Sequence, residues 1–198
     1  MSGVVVLLLF GALALFVYSG VYNVAATSGH IAPVEWVLRT TMERSVRHHA
    51  AAIAVPEGIN LRDRAYAARL YGDYQRARAS CHGAPGVPPA KWALFYPPSP
   101  KLTDRAVVNR WSDAELFWIS KHGIKDTAMI GLQSAHKDED IRSIAAIVRQ
   151  IPDMTAEDYQ AMGRAYQATQ KPGADGIDGE PPAADEDDGS TALPDDKE

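Results

Sequence analysis

The sequence has little of the residue that disulfide frameworks and metal clusters need, since Cys81 is its only cysteine. A single thiol excludes an internal disulfide, and it excludes zinc or iron–sulfur sites built from several thiolates. Charge is also missing from one long stretch, because residues 1–34 contain no Asp, Glu, Lys or Arg. The chain carries a formal net charge of −5, which does not suit a nucleic-acid-binding protein. It contains no nucleotide-binding or hydrolytic motif, so we do not expect a conventional enzyme.

Acidic residues are concentrated at the C-terminal end. Residues 171–198 contain ten acidic and two basic residues, so they carry −8 while the rest of the chain carries +3. This segment is rich in Pro, Gly, Ala and Asp and has almost no large apolar side chain. It cannot bury enough surface to offset its conformational entropy, so we predict that residues 171–198 form a disordered acidic tail. A role in docking a partner is the alternative to a merely solvated end.

The uncharged N-terminal stretch has the composition of a membrane segment. Residues 3–26 are almost all apolar, and about 20 helical residues span a bilayer core, so we predict a transmembrane anchor there. A cleaved signal peptide is the alternative, because Val24-Ala25-Ala26 offers the small residues that a signal peptidase accepts. No basic residue precedes the apolar run, which favours the anchor.

A second helix is predicted over residues 33–54, directly after the anchor. Pro33 suits a first helical turn. Apolar residues follow at a spacing that places them on one face of this helix, namely Val37, Leu38, Met42 and Val46. We expect a juxtamembrane helix that packs on the following domain or on lipid headgroups.

Residues 57–168 show helical patterns and no strand pattern, and they predict an all-α folded domain. One helix is expected over 61–79, and a capping box at Ser112 opens another that ends at Gly123. Two more helices are expected to begin at Asp138 and Thr155. The proline-rich stretches between residues 83 and 100 predict long loops, which in a compact domain usually need something to pack against. A flat apolar cofactor would provide that surface.

Two motifs carry a resemblance to a known family. The first is Arg78-Ala79-Ser80-Cys81-His82-Gly83-Ala84-Pro85-Gly86, which resembles the C-x-x-C-H haem-attachment site with Arg78 in the place of the first cysteine. The second is Lys121-His122-Gly123-Ile124-Lys125-Asp126-Thr127-Ala128-Met129. Together they are similar to membrane-anchored bacterial monohaem cytochromes c of class I. The resemblance covers about residues 57–168 and implies a class I cytochrome c-like helical domain behind an N-terminal transmembrane helix. It also implies that the helix ending near Cys81 packs across the helix beginning at Asp138.

The resemblance implies one haem c, held by a single thioether. Cys81 would bond covalently to a haem vinyl group, and His82 would bind the iron through Nε2. The other ring nitrogen of His82 needs an acceptor, for which a backbone carbonyl in the Gly83–Pro89 loop is the candidate. Met129 would be the second axial ligand. A His/Met pair closes both axial positions and suits electron transfer rather than oxygen binding.

The chain departs from the family pattern at several positions. Arg78 removes one thiol, and its side chain could pair with a haem propionate, although the vinyl geometry puts it on the wrong side. Ile130 replaces a proline that would make the turn at Met129 rigid. Asp126 adds an anionic group near the haem edge, and Ala128 replaces a glycine. His122 and His136 are alternative iron ligands that we expect at the solvent edge.

The function implied by the resemblance is electron transfer and not catalysis. The partners would be redox proteins, namely an oxidase, a dehydrogenase or another cytochrome of a respiratory chain. Arg39, Arg44 and Arg47 follow the anchor, and by charge bias they favour a cytoplasmic domain. Covalent haem attachment in the family takes place outside the cytoplasmic membrane, so we predict a single-pass inner-membrane protein with a periplasmic domain. The alternatives are a haem-free structural subunit of a membrane respiratory complex, and a sensory or catalytic haem with a displaceable Met129.

Overall fold

Most of the predicted helix starts are found in the computed structural model, which describes residues 2–25, 27–54, 56, 59–93 and 95–170. These ranges contain α-helices, one 3-10 helix and no β-strand, so the all-α prediction is confirmed. The helices are α1 (Ser2–Tyr18), α2 (Ala32–Ala50), α3 (Arg64–Ala68), α4 (Tyr71–Ala77), α5 (Ala79–His82), α6 (Arg105–Val108), α7 (Asp113–His122), α8 (Asp138–Gln150) and α9 (Ala156–Thr169). The 3-10 helix, Ile151–Asp153, follows α8 directly.

Helix α8 lies at the centre of the core. Its side chains Ile141, Ile144 and Ile147 are at most 1% exposed, and helices α3, α4 and α7 pack against it. Three acidic residues, 138–140, occupy its first turn, where the partial positive charge of the helix terminus stabilises them. The helices that lead to Cys81 therefore pack on α8.

Local capping signals fix the ends of α7 and α9. The amide of Glu115 donates to Ser112 Oγ at 3.2 Å, and the amide of Ser112 donates to Glu115 Oε2 at 2.7 Å. Thr155 and Asp158 form an equivalent capping box at the start of α9, with both bonds at 3.0 Å. Gly123 ends α7, as predicted. Each cap satisfies amides that a helix start leaves without a partner.

The single helix predicted over 61–79 is wrong, because that stretch forms the three short helices α3, α4 and α5. The chain leaves helical geometry at Leu70 (φ −115°, ψ 28°) and at Arg78 (φ −125°, ψ −42°). Side chains of α8 bond carbonyls at and before α3: Ser143 Oγ donates to Tyr66 O at 2.6 Å, and Gln150 Nε2 donates to Leu61 O at 2.8 Å. The bond from Ser143 engages the carbonyl that would accept from the amide of Leu70 in a continuous helix, so it favours the break between α3 and α4.

Helix α2 covers most of the predicted juxtamembrane helix, residues 33–54, and packs against α7. Only its C-terminal half is buried, since Val46 is 1% exposed while Val37 and Leu38 are 51% and 50% exposed. The apolar residues of the first half therefore do not pack on the domain. The second half joins the domain.

The structure describes the predicted anchor, residues 3–26, at every residue except Ala26. Helix α1 ends at Tyr18, so the helical segment is shorter than the predicted 3–26. Among the described residues, no helix has both the length and the apolar character required to cross a membrane. Ala26 and the predicted disordered tail, residues 171–198, lie outside the described residues.

Candidate functional site

Helix α5 is a single turn that carries Cys81 and His82 at its C-terminal end. Gly83 follows with φ 71° and ψ 179°, a backbone region that is essentially restricted to glycine. The next residues form a tight turn in which Ala84 and Val87 exchange two backbone hydrogen bonds of 2.8 Å. The chain therefore reverses immediately after His82.

The ring of His82 is oriented by one hydrogen bond. Its Nδ1 lies 2.9 Å from the carbonyl oxygen of Pro100. A carbonyl only accepts, so Nδ1 carries the proton and Nε2 keeps its lone pair. Burial lowers the pKa of His82, the bond to Pro100 raises it, and the charge of Arg78 lowers it further. The net direction is down, which favours the neutral imidazole that binds metals.

The prediction that a carbonyl of the Gly83–Pro89 loop accepts this bond is wrong. Three carbonyls of that loop already have partners: Gly83 O accepts from the Tyr74 hydroxyl at 2.9 Å, while Ala84 O and Val87 O are used within the tight turn. The acceptor comes instead from Pro100, which the proline-rich stretch brings back to His82.

Met129 lies in a loop, residues 124–130, that folds back on the end of α7. The amide of Ile124 donates to Met129 O at 2.9 Å, and Thr127 Oγ1 accepts from the amide of Met129 at 3.1 Å. A Cβ at Gly123 would overlap the Met129 carbonyl, so that position requires glycine. The threonine and the glycine, rather than a proline at position 130, hold this turn.

Arg78 connects the Met129 loop to the Cys81 helix. Its Nη1 donates to Met129 Sδ at 3.1 Å, and its Nη2 donates to Ile130 O at 3.0 Å. The residue is 4% exposed, so the guanidinium is buried in the domain. The fold therefore brings Met129, 51 residues further along the chain, to the residue that occupies the first cysteine's place.

The charge of Arg78 is poorly compensated. Within the described ranges Nε has no hydrogen-bond partner, and no carboxylate forms an ion pair with the guanidinium. Burial lowers the pKa of Arg78, while the proximity of Cys81 and Tyr74 raises it. Leaving a cation in a protein interior is costly, so a sulfur and a carbonyl are weak compensation for it.

Sequence reasoning missed this inward position of Arg78, although the pattern contained a signal for it. Tyr74 precedes Arg78 by four residues, and the amide of Arg78 donates to Tyr74 O at 2.8 Å. Tyr74 and Arg78 are 0% and 4% exposed, so the buried face of α4 includes the arginine. Residues four apart on a helix share a face even when one of them is charged.

The residues present fit a single-thioether haem c in their chemistry. Cys81 is a free, half-buried thiol, and His82 presents an unprotonated Nε2. Met129 contributes a soft sulfur that suits ferrous iron. The sulfur is not free, however, because the Arg78 guanidinium already donates to it.

An open groove of about 500 Å³ lies on one side of His82. It is lined by the Gly83–Pro89 loop, by Lys101 and Thr103, and by a stretch near the start of α9 that includes Ile151 and Met154. Neither Cys81 nor Met129 lines this groove. It is therefore distinct from the contact between Arg78 and Met129.

The two histidines considered as alternative ligands lie on either side of the Met129 loop in the sequence. His122 is exposed at the end of α7, where its ring lies 5.0 Å from that of Trp118. Burial and the charge of Lys121 lower the pKa of His122. His136 is half-buried in the segment before α8. In the part of the chain that is described, no group of three His, Cys, Asp or Glu side chains could hold a metal ion.

Comparison of the chain with models of known protein families, with curated proteins and with solved structures gives no match. The function of the site therefore follows from its own residues and their geometry.

Proposed function

We propose that the chain is a membrane-anchored c-type cytochrome of the class I kind, carrying single electrons through one haem c held by a single thioether. The observation that supports this most is the convergence of the two motifs. Met129 Sδ lies 3.1 Å from Arg78, the residue one turn before Cys81 and His82. A haem site needs the two motifs close together, and this contact brings one residue of each within hydrogen-bond distance.

Each donor has a distinct role in this proposal. Cys81 would bond to a haem vinyl group, while His82 Nε2 and Met129 Sδ would be the axial ligands of the iron. Pro100 fixes the ring of His82 from behind through the Nδ1 bond of 2.9 Å. The haem, when bound, supplies the one-electron redox change.

The backbone around His82 is held rigidly enough to position a ligand. Tyr74, which is 0% exposed, bonds Gly83 O, and the tight turn after Gly83 is closed by its own backbone bonds. A fixed ligand ring lowers the reorganisation that accompanies a change in iron charge. This rigidity suits electron transfer between partner proteins such as an oxidase, a dehydrogenase or another cytochrome.

Membrane anchoring is proposed from the apolar helix α1 and the apolar residues that follow it. The side chains from Gly3 to Tyr18 are exposed, including Leu7, Leu8 and Phe10 at 67–73%. A helix of 17 residues is about 26 Å long, against about 30 Å for the hydrocarbon core of a bilayer. The uncharged residues after Tyr18 would complete the span, with the domain on the periplasmic side of the inner membrane.

A haem-free structural subunit of a membrane respiratory complex is the second candidate. The observation in its favour is the contact between Arg78 and Met129, because it occupies the sulfur. Arg78 fills space beside Met129 with a buried guanidinium and engages the sulfur that an iron would need. A domain of this kind would keep the cytochrome-like fold and its partner surfaces without the cofactor.

The deciding experiment is detection of covalent haem in membranes from cells that attach c-type haem. We expect the full chain to keep haem after denaturing electrophoresis, and its pyridine haemochrome α-band to lie between the positions for two thioethers and for none. Cys81→Ser should lose the covalent haem, and His136→Ala should keep it. Wild-type membranes without any covalent haem would reject the cytochrome and favour the haem-free subunit.

The role of Met129 has its own test in the same membranes. Met129→Ala should abolish the sulfur–iron charge-transfer band of the oxidised protein while the covalent haem is retained. An unchanged band would remove Met129 from the ligand set.

A further inference from the structure

We propose that Arg78 is a latch that holds the Met129 loop, residues 124–130, against the Cys81 helix. Its guanidinium donates to Met129 Sδ at 3.1 Å and to Ile130 O at 3.0 Å, so one side chain is hydrogen-bonded to two successive residues of the loop. This positioning role goes beyond electron transfer. It holds or fails independently of whether the protein carries a haem in the cell.

The backbone of Arg78 is fixed at both ends, which directs its side chain. Its amide donates to Tyr74 O at 2.8 Å, which ends α4. Its carbonyl accepts from the amides of Cys81 and His82, at 3.0 and 2.9 Å, which begins α5. Arg78 is thus the junction between the two helices, and any movement of its guanidinium must come from side-chain rotation alone.

The Met129 loop, residues 124–130, makes few other contacts with the α4–α5 side of the domain. Ile130 is 65% exposed and Met129 is half-buried, so neither is anchored by deep packing. Within the described residues, the remaining hydrogen bonds of the loop join it to itself, as in the bond from Thr127 Oγ1 to Ile124 O at 2.8 Å. Arg78 provides the hydrogen bonds that cross to the Cys81 helix.

The latch and an iron ligand would compete for the same sulfur. A bond from a cationic donor withdraws electron density from the thioether, and a guanidinium beside a ferric ion adds repulsion between like charges. Met129 could therefore become a strong iron ligand only if the hydrogen bond from Arg78 to its sulfur were broken. Arg78 acts through Met129, so it is a positioning residue and not a ligand.

Methionine oxidation in the haem-free chain tests this directly. The full chain, produced without haem attachment and kept in detergent, is treated with hydrogen peroxide, and the sulfoxide at each methionine is measured by peptide mass spectrometry. Arg78→Met keeps the side-chain length but removes both donors, and we expect it to speed oxidation of Met129 severalfold. Met162, which is 7% exposed in α9, should oxidise at the same slow rate in both proteins and so reports that the fold is intact.

The matched control is Arg76→Met, two residues earlier, because Arg76 is exposed and pairs with Asp73 at 2.7 Å. It should leave the oxidation of Met129 unchanged. Equal rates of Met129 oxidation in wild type and Arg78→Met, with Met162 protected in both, would overturn the latch.

Arg78→Lys keeps the experiment decisive if Arg78→Met unfolds the chain, which faster oxidation of Met162 would reveal. A lysine keeps the charge, but its single ammonium cannot reproduce the two hydrogen bonds that the separate guanidinium nitrogens donate to the sulfur and the carbonyl. Faster Met129 oxidation with Met162 still protected supports the latch. A wild-type rate at Met129 contradicts it.

Discussion

Two glycines direct the segments that carry the candidate ligands. Gly83 follows His82 at the end of α5, and Gly123 follows His122 at the end of α7. Both have φ near 70° with ψ close to 180°, where a side chain is strongly disfavoured. Each glycine thus turns the chain out of a helix and into one half of the site.

Gly123→Ala should therefore destabilise the domain and detach the Met129 loop. The added Cβ would overlap the Met129 carbonyl and would impose a strained φ of 69° on alanine. Strain of this kind costs on the order of 1–3 kcal/mol, before any overlap is added. Urea unfolding of the full chain in detergent measures the loss. Asp126→Gly is the control in the same loop, because it relieves a positive φ of 58° and should not lower stability.

Two tyrosine hydroxyls offer a comparison of buried and exposed hydrogen bonds. Tyr74 donates to Gly83 O at 2.9 Å in the interior, whereas Tyr66 donates to Glu139 O at 3.1 Å near the surface. Tyr74→Phe leaves a buried carbonyl without a donor and should lower the unfolding free energy by about 1–3 kcal/mol. Tyr66→Phe should lower it by much less, because water can replace the lost bond. Equal losses in urea titrations would show that the Gly83 carbonyl reaches solvent.

The sequence predicts Cys81, His82 and Met129 as a candidate site from two motifs, and the structure shows the contact of Met129 with Arg78 of the first motif. The other contacts around these residues could not be predicted from the sequence. The acceptor for His82 was misplaced because it depends on which carbonyls other bonds leave free. Which carbonyl accepts the bond can be known only from the tertiary structure, because Pro100 lies 18 residues from the His82 ring that it orients.

At the scale of helices, ends set by neighbouring residues were predictable and breaks set by distant residues were not. The caps at Ser112 and Thr155 act within three residues, so their patterns can be seen in the sequence. The break between α3 and α4 is favoured by the bond from Ser143 Oγ to Tyr66 O, which joins residues 77 positions apart. Helical periodicity carries no information about such distant hydrogen bonds.

The capping box of α9 should make stability depend on pH in the acid range. Bonds from Thr155 and then from Arg64 lower the pKa of Asp158 from 3.8 to about 2. Because the folded pKa is the lower one, this stabilisation is complete above pH 4 and is lost as the pH falls towards 2. Asp158→Asn should flatten that part of a stability–pH profile measured by thermal unfolding. Glu157→Gln, one residue earlier in the same turn, should leave the profile as it is in the wild type.

For the whole molecule, helix α2 is joined to the helical domain by ion pairs that the sequence does not predict. Glu43 in α2 pairs with Arg110, and Arg47 approaches Glu115 at 4.0 Å, so α2 is joined to the start of α7. The sequence predicted packing on the domain or on lipid headgroups, without naming the residues that make the contact. Ion pairs between residues more than 60 positions apart leave no local trace in the sequence.

The proposed anchoring predicts a specific failure when charge is placed in α1. Leu8→Lys combined with Leu13→Lys should release the chain from membranes, because each lysine at the centre of a span costs about 2.5–3.5 kcal/mol. Alkaline carbonate extraction of a membrane fraction measures retention of the full chain. Thr27→Lys lies beyond the apolar run and should extract like the wild type. Full retention of the double lysine variant would mean that α1 is not the anchor.

Because Cys81 is the only cysteine, the fraction of molecules whose thiol has reacted can be measured directly. A thiol consumed in a thioether cannot be alkylated, and every molecule has one thiol in total, at Cys81. Under the proposed function, the unlabelled fraction of the unfolded, reduced protein after treatment with a maleimide would equal the fraction that carries covalent haem. In a protein with two attachment cysteines the same measurement would mix fully and partly attached molecules. Here one intact-mass spectrum gives the stoichiometry directly.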